Sequence, residues 1–96
     1  MLPGLRMAQT CHAAIQFQHE FPQLSKSWIE SSNHIVILEV DNEIQLKSLI
    51  DKAEQIGICS SVFKEPDLDN QVTAVAFEPG ELSKRLLKNI KLAMSP

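Results

Sequence analysis

The chain predicts an α/β domain, a small mixed sheet with helices on both faces, and three observations predict it. His34 to Val40 reads HIVILEV, an aliphatic run broken by one glutamate, as expected of a strand covered on both sides. Helical and strand periodicities then alternate to the end of the chain. Finally, 96 residues with 44% hydrophobic content are enough for one core but not two, so residues 1–96 are expected to form a single domain.

In order, Leu2-Pro3-Gly4 reads as a turn leading into a helix from about Arg6 to His19. Met7, Cys11, Ala14 and Ile15 recur at helical spacing, with Ala8 and Ala13 beside them, and predict its buried stripe. Pro22 ends the helix and biases Phe21 away from helical dihedrals. Phe17 and Phe21 are expected to anchor that end in the core. Gln23 to Ile29 reads as one or two helical turns pinned by Leu24 and Trp28. Trp28 suits either a core anchor or a stacking platform for a base.

After the Ser31-Ser32-Asn33 loop comes the expected strand His34 to Val40. Asp41 and Asn42 then cap a helix, with Gln45 in the capping-box position. Leu46, Leu49, Ile50, Ala53 and Ile56 form its inward stripe, and Gly57 supplies the left-handed stop. Ile58 to Lys64 predicts a second strand, with Ile58, Ser60 and Val62 on one side and Cys59, Ser61 and Phe63 on the other. Glu65 to Asn70 is an acidic turn-rich loop, and Val72 to Phe77 a third strand broken by Pro79-Gly80. Glu81 to Leu92 predicts a closing helix with Leu82, Leu86, Leu87 and Ile90 inward.

A formal charge of −3 gives no global attraction to nucleic acid, so any RNA contact must rest on a local basic patch. No apolar run has the length of a membrane span, and the N-terminus lacks a secretory signature. The cytoplasm is the expected location, without a membrane partner. Cys11 and Cys59 are expected to be free and buried, and they lack zinc-ligand spacing. Cys11 and His12 suggest a thiol nucleophile with its base, but helix neighbours point about 100° apart and do not face each other, which favours the structural reading.

The run Gly4-Leu5-Arg6-Met7-Ala8-Gln9-Thr10-Cys11-His12-Ala13-Ala14 resembles the type II peptidyl-tRNA hydrolases, whose glycine loop and first helix read roughly G-K-x-A-A-Q-x-x-H-A-A. The glycine, the glutamine and the His-Ala-Ala match. Leu5 stands where the family has lysine. The predicted element order matches the family along essentially the whole chain except at the front. Family members open with a hydrophobic strand, whereas here only Met1 precedes Leu-Pro-Gly. Such a strand, with about three buried aliphatic side chains, would bring roughly 5 to 9 kcal/mol, against about 5 to 15 for a whole domain. The resemblance therefore implies a first strand missing from this chain, by truncation or a misassigned start, or a gap filled by another chain or a rearranged sheet. Strand edges left open favour association, so a homodimer is expected.

The resemblance implies cleavage of the ester joining a peptide or N-blocked amino acid to the 3′ end of tRNA, with no cofactor and no metal. The family's acid-base aspartate falls on Glu65, and its threonine before the last strand on Thr73. Gln9 would position water, and His12 would either take part or hydrogen-bond locally beneath the loop. Asp67 belongs to the lip of the cleft that the family match implies. Arg6 and Lys64 are candidate contacts to substrate or tRNA phosphate. Lys84, Lys88 and Lys91, at i, i+4 and i+7 of the closing helix, are either a solvated face or a further phosphate stripe. The alternative is a catalytically impaired relative acting as a binding or regulatory module. A third reading is a small-molecule esterase.

Overall fold

The computed structural model describes residues 3–94. Helix α1 spans Pro3–Glu20, α2 Pro22–Glu30 and α3 Glu43–Gln55. Strand β1, Ser60–Glu65, leads through a single 3-10 turn at Pro66–Leu68 into β2, Gln71–Phe77, and α4 follows at Glu81–Leu87. The class is α/β, as expected, with a central two-stranded sheet flanked by helices. β1 and β2 pair antiparallel, α1 packs along both strands, and α3 packs chiefly against β2.

The expected turn at Pro3-Gly4 is instead the opening of α1. Proline fits the first helical turn, where its missing N–H costs nothing. The buried face of α1 also differs from the expected one. Gln9, Ala13 and Phe17 are buried, whereas Met7, Ala8, Cys11, Ala14 and Ile15 are exposed. The helix is rotated toward a polar residue because Gln9 finds hydrogen-bond partners on the hairpin, and a satisfied amide is admissible in a core. Cys11 is therefore a free but exposed thiol, and Cys59 is half-buried. Phe17 and Phe21 do anchor the helix end, with ring centroids 4.9 Å apart.

His34–Val40 does not form the expected buried strand. It is extended and carries one isolated antiparallel bridge, Leu38 to Leu92, with Glu39 N–H donating to Lys91 O and Ala93 N–H to Ile37 O. Ile35, Val36 and Ile37 are 73%, 68% and 50% exposed. Apolar composition favours a strand only where a neighbouring backbone completes the ladder, and among the described residues the backbone groups of Val36 and Leu38 have no protein partner. Trp28 serves as an anchor here, its indole N–H donating to His34 O at 2.9 Å.

α3 forms as its sequence dictates. Asn42 Oδ1 accepts from Gln45 N–H, while the Gln45 side chain accepts from Asp41 N–H, one residue earlier than a standard capping box. Gly57, at φ 80°, ends the helix in the left-handed region. Leu49 and Ala53 are buried, Leu46 and Ile50 half-buried, and Ile56 is half exposed at the C-cap rather than inward. α4 stops at Leu87, short of the expected Leu92, because residues 91–93 leave the helix to pair with the Ile37–Glu39 segment. Leu82 faces solvent, and Ser83 is buried in its stead, donating to Glu78 O. The early end of α4 also breaks up the expected lysine stripe. Lys84 lies in the helix, Lys88 is its C-cap, and Lys91 lies beyond it.

Candidate functional site

The side chains that carry chemistry meet where α1 crosses the end of the β1–β2 hairpin. Gln9 is 2% exposed. Its Nε2 donates to Glu65 Oε2 at 2.6 Å, and its Oε1 accepts from Thr73 Oγ1 at 3.2 Å. One buried amide thus joins the last residue of β1 to the third residue of β2. The second oxygen of Glu65 accepts from the backbone N–H of Asp67 at 3.2 Å.

The local sequence explains each placement. Pro66 turns the chain directly after Glu65, and Asp69 and Asn70, at φ 53° and 60°, take the left-handed positions that return it to β2. Asp and Asn tolerate that region better than most residues. The hairpin register then shifts. Phe63 pairs with Ala74 and Lys64 with Val72, so Thr73 has no counterpart on β1 and forms a bulge. An extra residue of this kind re-aims a side chain, and the Thr73 hydroxyl reaches Gln9 on α1. Beneath the bulge, Glu43 at the start of α3 accepts from Val72 N–H at 2.8 Å, tying β2 to a second helix.

These contacts set the electrostatics of Glu65. Its pKa lies below the ordinary carboxylate value, chiefly because the Gln9 amide donates to the charged form, then because the Asp67 N–H does. Desolvation opposes this, and His12 adds a smaller coulombic lowering. Glu65 therefore stands as a carboxylate at neutral pH. His12 lies one turn beyond Gln9 on α1, with its imidazole stacked on Phe63 at 4.8 Å between centroids and 13° between planes.

Of the candidate catalytic residues, Glu65, Thr73 and Gln9 are thus joined by hydrogen bonds, with His12 beside them. The candidate binding residues are dispersed. Asp67 is exposed in the turn after Glu65, and Lys64 is exposed on β1. Arg6 and Lys91 converge on one carboxylate, Arg6 Nη1 at 3.5 Å from Glu39 Oε2 and Lys91 Nζ at 3.5 Å from Glu39 Oε1. Lys84 pairs with Glu81 at 3.5 Å. Among the described residues no lysine or arginine forms an ion pair with Glu65, and Leu5 is 43% exposed.

Sequence reasoning missed two members of this arrangement. Phe63, which holds His12, could have been found from its position two residues before Glu65 on the same strand. Glu39, which gathers Arg6 and Lys91, was the one charge in an aliphatic run. Shallow surface depressions occur on the outer faces of α3, lined by Ile44, Lys47 and Asp51 among others, and of α2. Neither takes a lining residue from the Glu65 cluster. Among the described residues no three His, Cys, Asp or Glu side chains converge as metal ligands, and no helix is long and apolar enough to cross a membrane.

Two comparisons bear on this arrangement. The model of the family described as peptidyl-tRNA hydrolase PTH2 matches residues 1–93. A peptidyl-tRNA hydrolase of Thermococcus sibiricus is 28% identical over 86 residues, covering 83% of this chain and 73% of that protein.

Proposed function

The chain belongs to the peptidyl-tRNA hydrolase PTH2 family, and from that premise we propose that it hydrolyses the ester between a peptide, or an N-blocked amino acid, and the 3′ end of tRNA in the cytoplasm. The observation that carries this reading is the Glu65–Gln9–Thr73 chain. Ester hydrolysis needs a water that is oriented and relieved of a proton, and an oxyanion that is stabilised as it forms. Glu65 is the acceptor for that proton. With its pKa lowered it is ionised at neutral pH, free to polarise a held water and to accept its proton as the attack proceeds. Gln9 fixes the orientation of the carboxylate. Thr73, which spends its hydroxyl proton on Gln9, keeps lone pairs to orient the water or the substrate.

The basic residues supply the nucleic-acid contact. Arg6 and Lys91 share Glu39 and remain 61% and 62% exposed, so phosphate can compete for both. Lys64, Lys84 and Lys88 are exposed as well and complete the candidate set with Asp67 at the lip.

The second reading, a non-catalytic binding or regulatory module, is favoured by one observation. Arg6, the residue after Leu5, faces Glu39, and among the described residues no lysine or arginine pairs with Glu65. Hydrolysis of N-acylated aminoacyl-tRNA by the wild type and Glu65→Gln separates the two, with unacylated aminoacyl-tRNA as control. Cleavage of the acylated substrate that is lost in Glu65→Gln establishes the hydrolase. Absence of cleavage by the folded wild type, with tRNA binding retained, establishes the binding module.

A further inference from the structure

Val72 and Thr73 are consecutive residues of β2, and each is tied to a different helix. The Val72 N–H donates to Glu43 Oε2 on α3 at 2.8 Å, and the Thr73 hydroxyl donates to Gln9 Oε1 on α1 at 3.2 Å. Thr73 is the extra residue of the bulge, without a counterpart on β1. The hairpin alone leaves open which residue is extra. Were the surplus to sit at Val72, Thr73 would take the place opposite Lys64, and its side chain would turn away from its present direction. Burial holds the Val72 side chain, 7% exposed, toward the core, but apolar attraction has no direction and leaves the peptide plane unset. A hydrogen bond from a backbone N–H does have a direction. The peptide entering the bulge carries one hydrogen, on Val72 N, and Glu43 takes it.

Resting on the hydrolase reading above, we infer that Glu43 is a positioning residue for the reaction: by accepting the Val72 N–H it sets the bulge so that the Thr73 hydroxyl faces Gln9. Glu43 suits that task because its own backbone is held. It is the first residue of α3, directly after the N-cap Asn42, whose Oδ1 accepts from Gln45 N–H at 2.9 Å. The Gln45 side chain in turn accepts from Asp41 N–H. The Glu43 side chain is 30% exposed, so a partly desolvated carboxylate meets the amide of a buried residue, which is the stronger kind of hydrogen bond. Lys47 Nζ lies 3.5 Å from the same oxygen but is 58% exposed, a surface pair one turn along the helix that adds little.

Glu43 acts here only through its neighbours. Thr73 keeps lone pairs to orient the water or the substrate, and Gln9, which accepts the Thr73 proton, orients Glu65. α3 thus reaches the site on α1 through two residues of one strand. A carboxylate in the first turn of a helix also suits the helix dipole, whatever it touches. The two roles separate by substitution. Glu43→Asp keeps the charge at the helix start but shortens the reach by one methylene. Glu43→Gln gives up the charge but keeps an accepting oxygen at the same reach.

The test compares kcat and KM for N-acetyl-aminoacyl-tRNA in wild type, Glu43→Gln, Glu43→Asp, Lys47→Ala, Thr73→Val and the double variant Glu43→Asp with Thr73→Val. Circular dichroism checks that each folds. Positioning predicts that kcat falls about 10- to 100-fold in Glu43→Asp with KM changed little. Glu43→Gln and Lys47→Ala should stay close to wild type. Because Glu43 works through the Thr73 hydroxyl, the double variant should be no slower than Thr73→Val alone. Full activity in Glu43→Asp with a loss in Glu43→Gln would overturn the assignment and leave the carboxylate a helix-end charge only. Losses that multiply in the double variant would overturn it too, since they would place the effect of Glu43 outside the Thr73 hydroxyl. A folded wild type with no cleavage sinks the hydrolase reading and this inference with it; an active wild type indifferent to Glu43→Asp sinks this inference alone.

Discussion

Gln9 and Glu65 lie 56 residues apart in the chain and meet at 2.6 Å, the closest tie between α1 and the acidic turn of the hairpin. The amide is buried, the carboxylate is half-buried, and the bond orients the glutamate and is the leading cause of its lowered pKa. Much of what the domain is expected to do follows from this one contact.

Removing the amide should cost stability and function together. Gln9→Ala leaves Glu65 and Thr73 without their shared partner, and loss of a buried bridging group of this kind costs about 1–3 kcal/mol. The expected outcome is a lower urea midpoint with an unchanged m-value, and hydrolysis reduced about tenfold or more. Gln9→Glu sets a second carboxylate against Glu65 and should move the acid limb of the pH–rate profile to higher pH.

The depressed pKa of Glu65 sets the direction of a pH effect on folding. The folded state releases this proton more readily than the unfolded state, so the contribution to stability is present above the unfolded value of 4.5 and is lost as pH falls through the lower folded value. Thermal unfolding followed from pH 7 down to pH 3 should show the wild type losing stability in that acid window. Glu65→Gln should show a shallower decline there and no comparable difference above pH 6.

Arg6, Lys91 and Glu39 form a surface cluster whose contribution to folding should be small, about 0–1 kcal/mol per pair. Its effect on tRNA should be larger. Arg6→Gln and Lys91→Gln are each expected to weaken binding uniformly across tRNA sequences and to reduce the slope of log K against log salt by about one. Glu39→Gln frees both cations and should tighten binding. Fluorescence titrations at several salt concentrations measure all three.

Ile35, Val36 and Ile37 present an open edge of extended chain with apolar side chains, a combination that templates pairing with another strand. Sedimentation should detect concentration-dependent self-association of the wild type. Ile35→Lys with Ile37→Lys should suppress it while shifting folding stability by no more than about 0.5 kcal/mol per site, as expected of exposed positions.

What the sequence revealed and what it hid divide along physical lines. α3 was legible because its signals are local: Asn42 caps it, Gln45 reciprocates and Gly57 ends it, all within a few residues. The hairpin strands were legible from alternation and from Pro66. The orientation of α1 was not, because Met7, Cys11 and Ile15 are more apolar than Gln9, and only the tertiary partners Glu65 and Thr73 make burial of the amide favourable. His34–Val40 departs from its expected strand for a related reason: composition reports what a strand would like, while pairing depends on a neighbour elsewhere in the chain. The Glu65, Gln9 and Thr73 set came from resemblance and the contact geometry brings it together. The roles of Phe63 and Glu39 depend on distances that no local pattern encodes.

The bulge at Thr73 carries a consequence for how such a sequence can drift. With two residues of β2 set against one of β1, deletion of a single residue between Gln71 and Ala74 would restore a regular ladder but turn the side chains on one flank to the opposite face. The exposed Lys64 could vary in identity with little penalty to the hydroxyl's aim, whereas a change in length could not be absorbed. The hairpin thus behaves like a reading frame: it tolerates substitution far better than insertion or deletion, and its count of residues, more than their chemistry, keeps Thr73 facing α1.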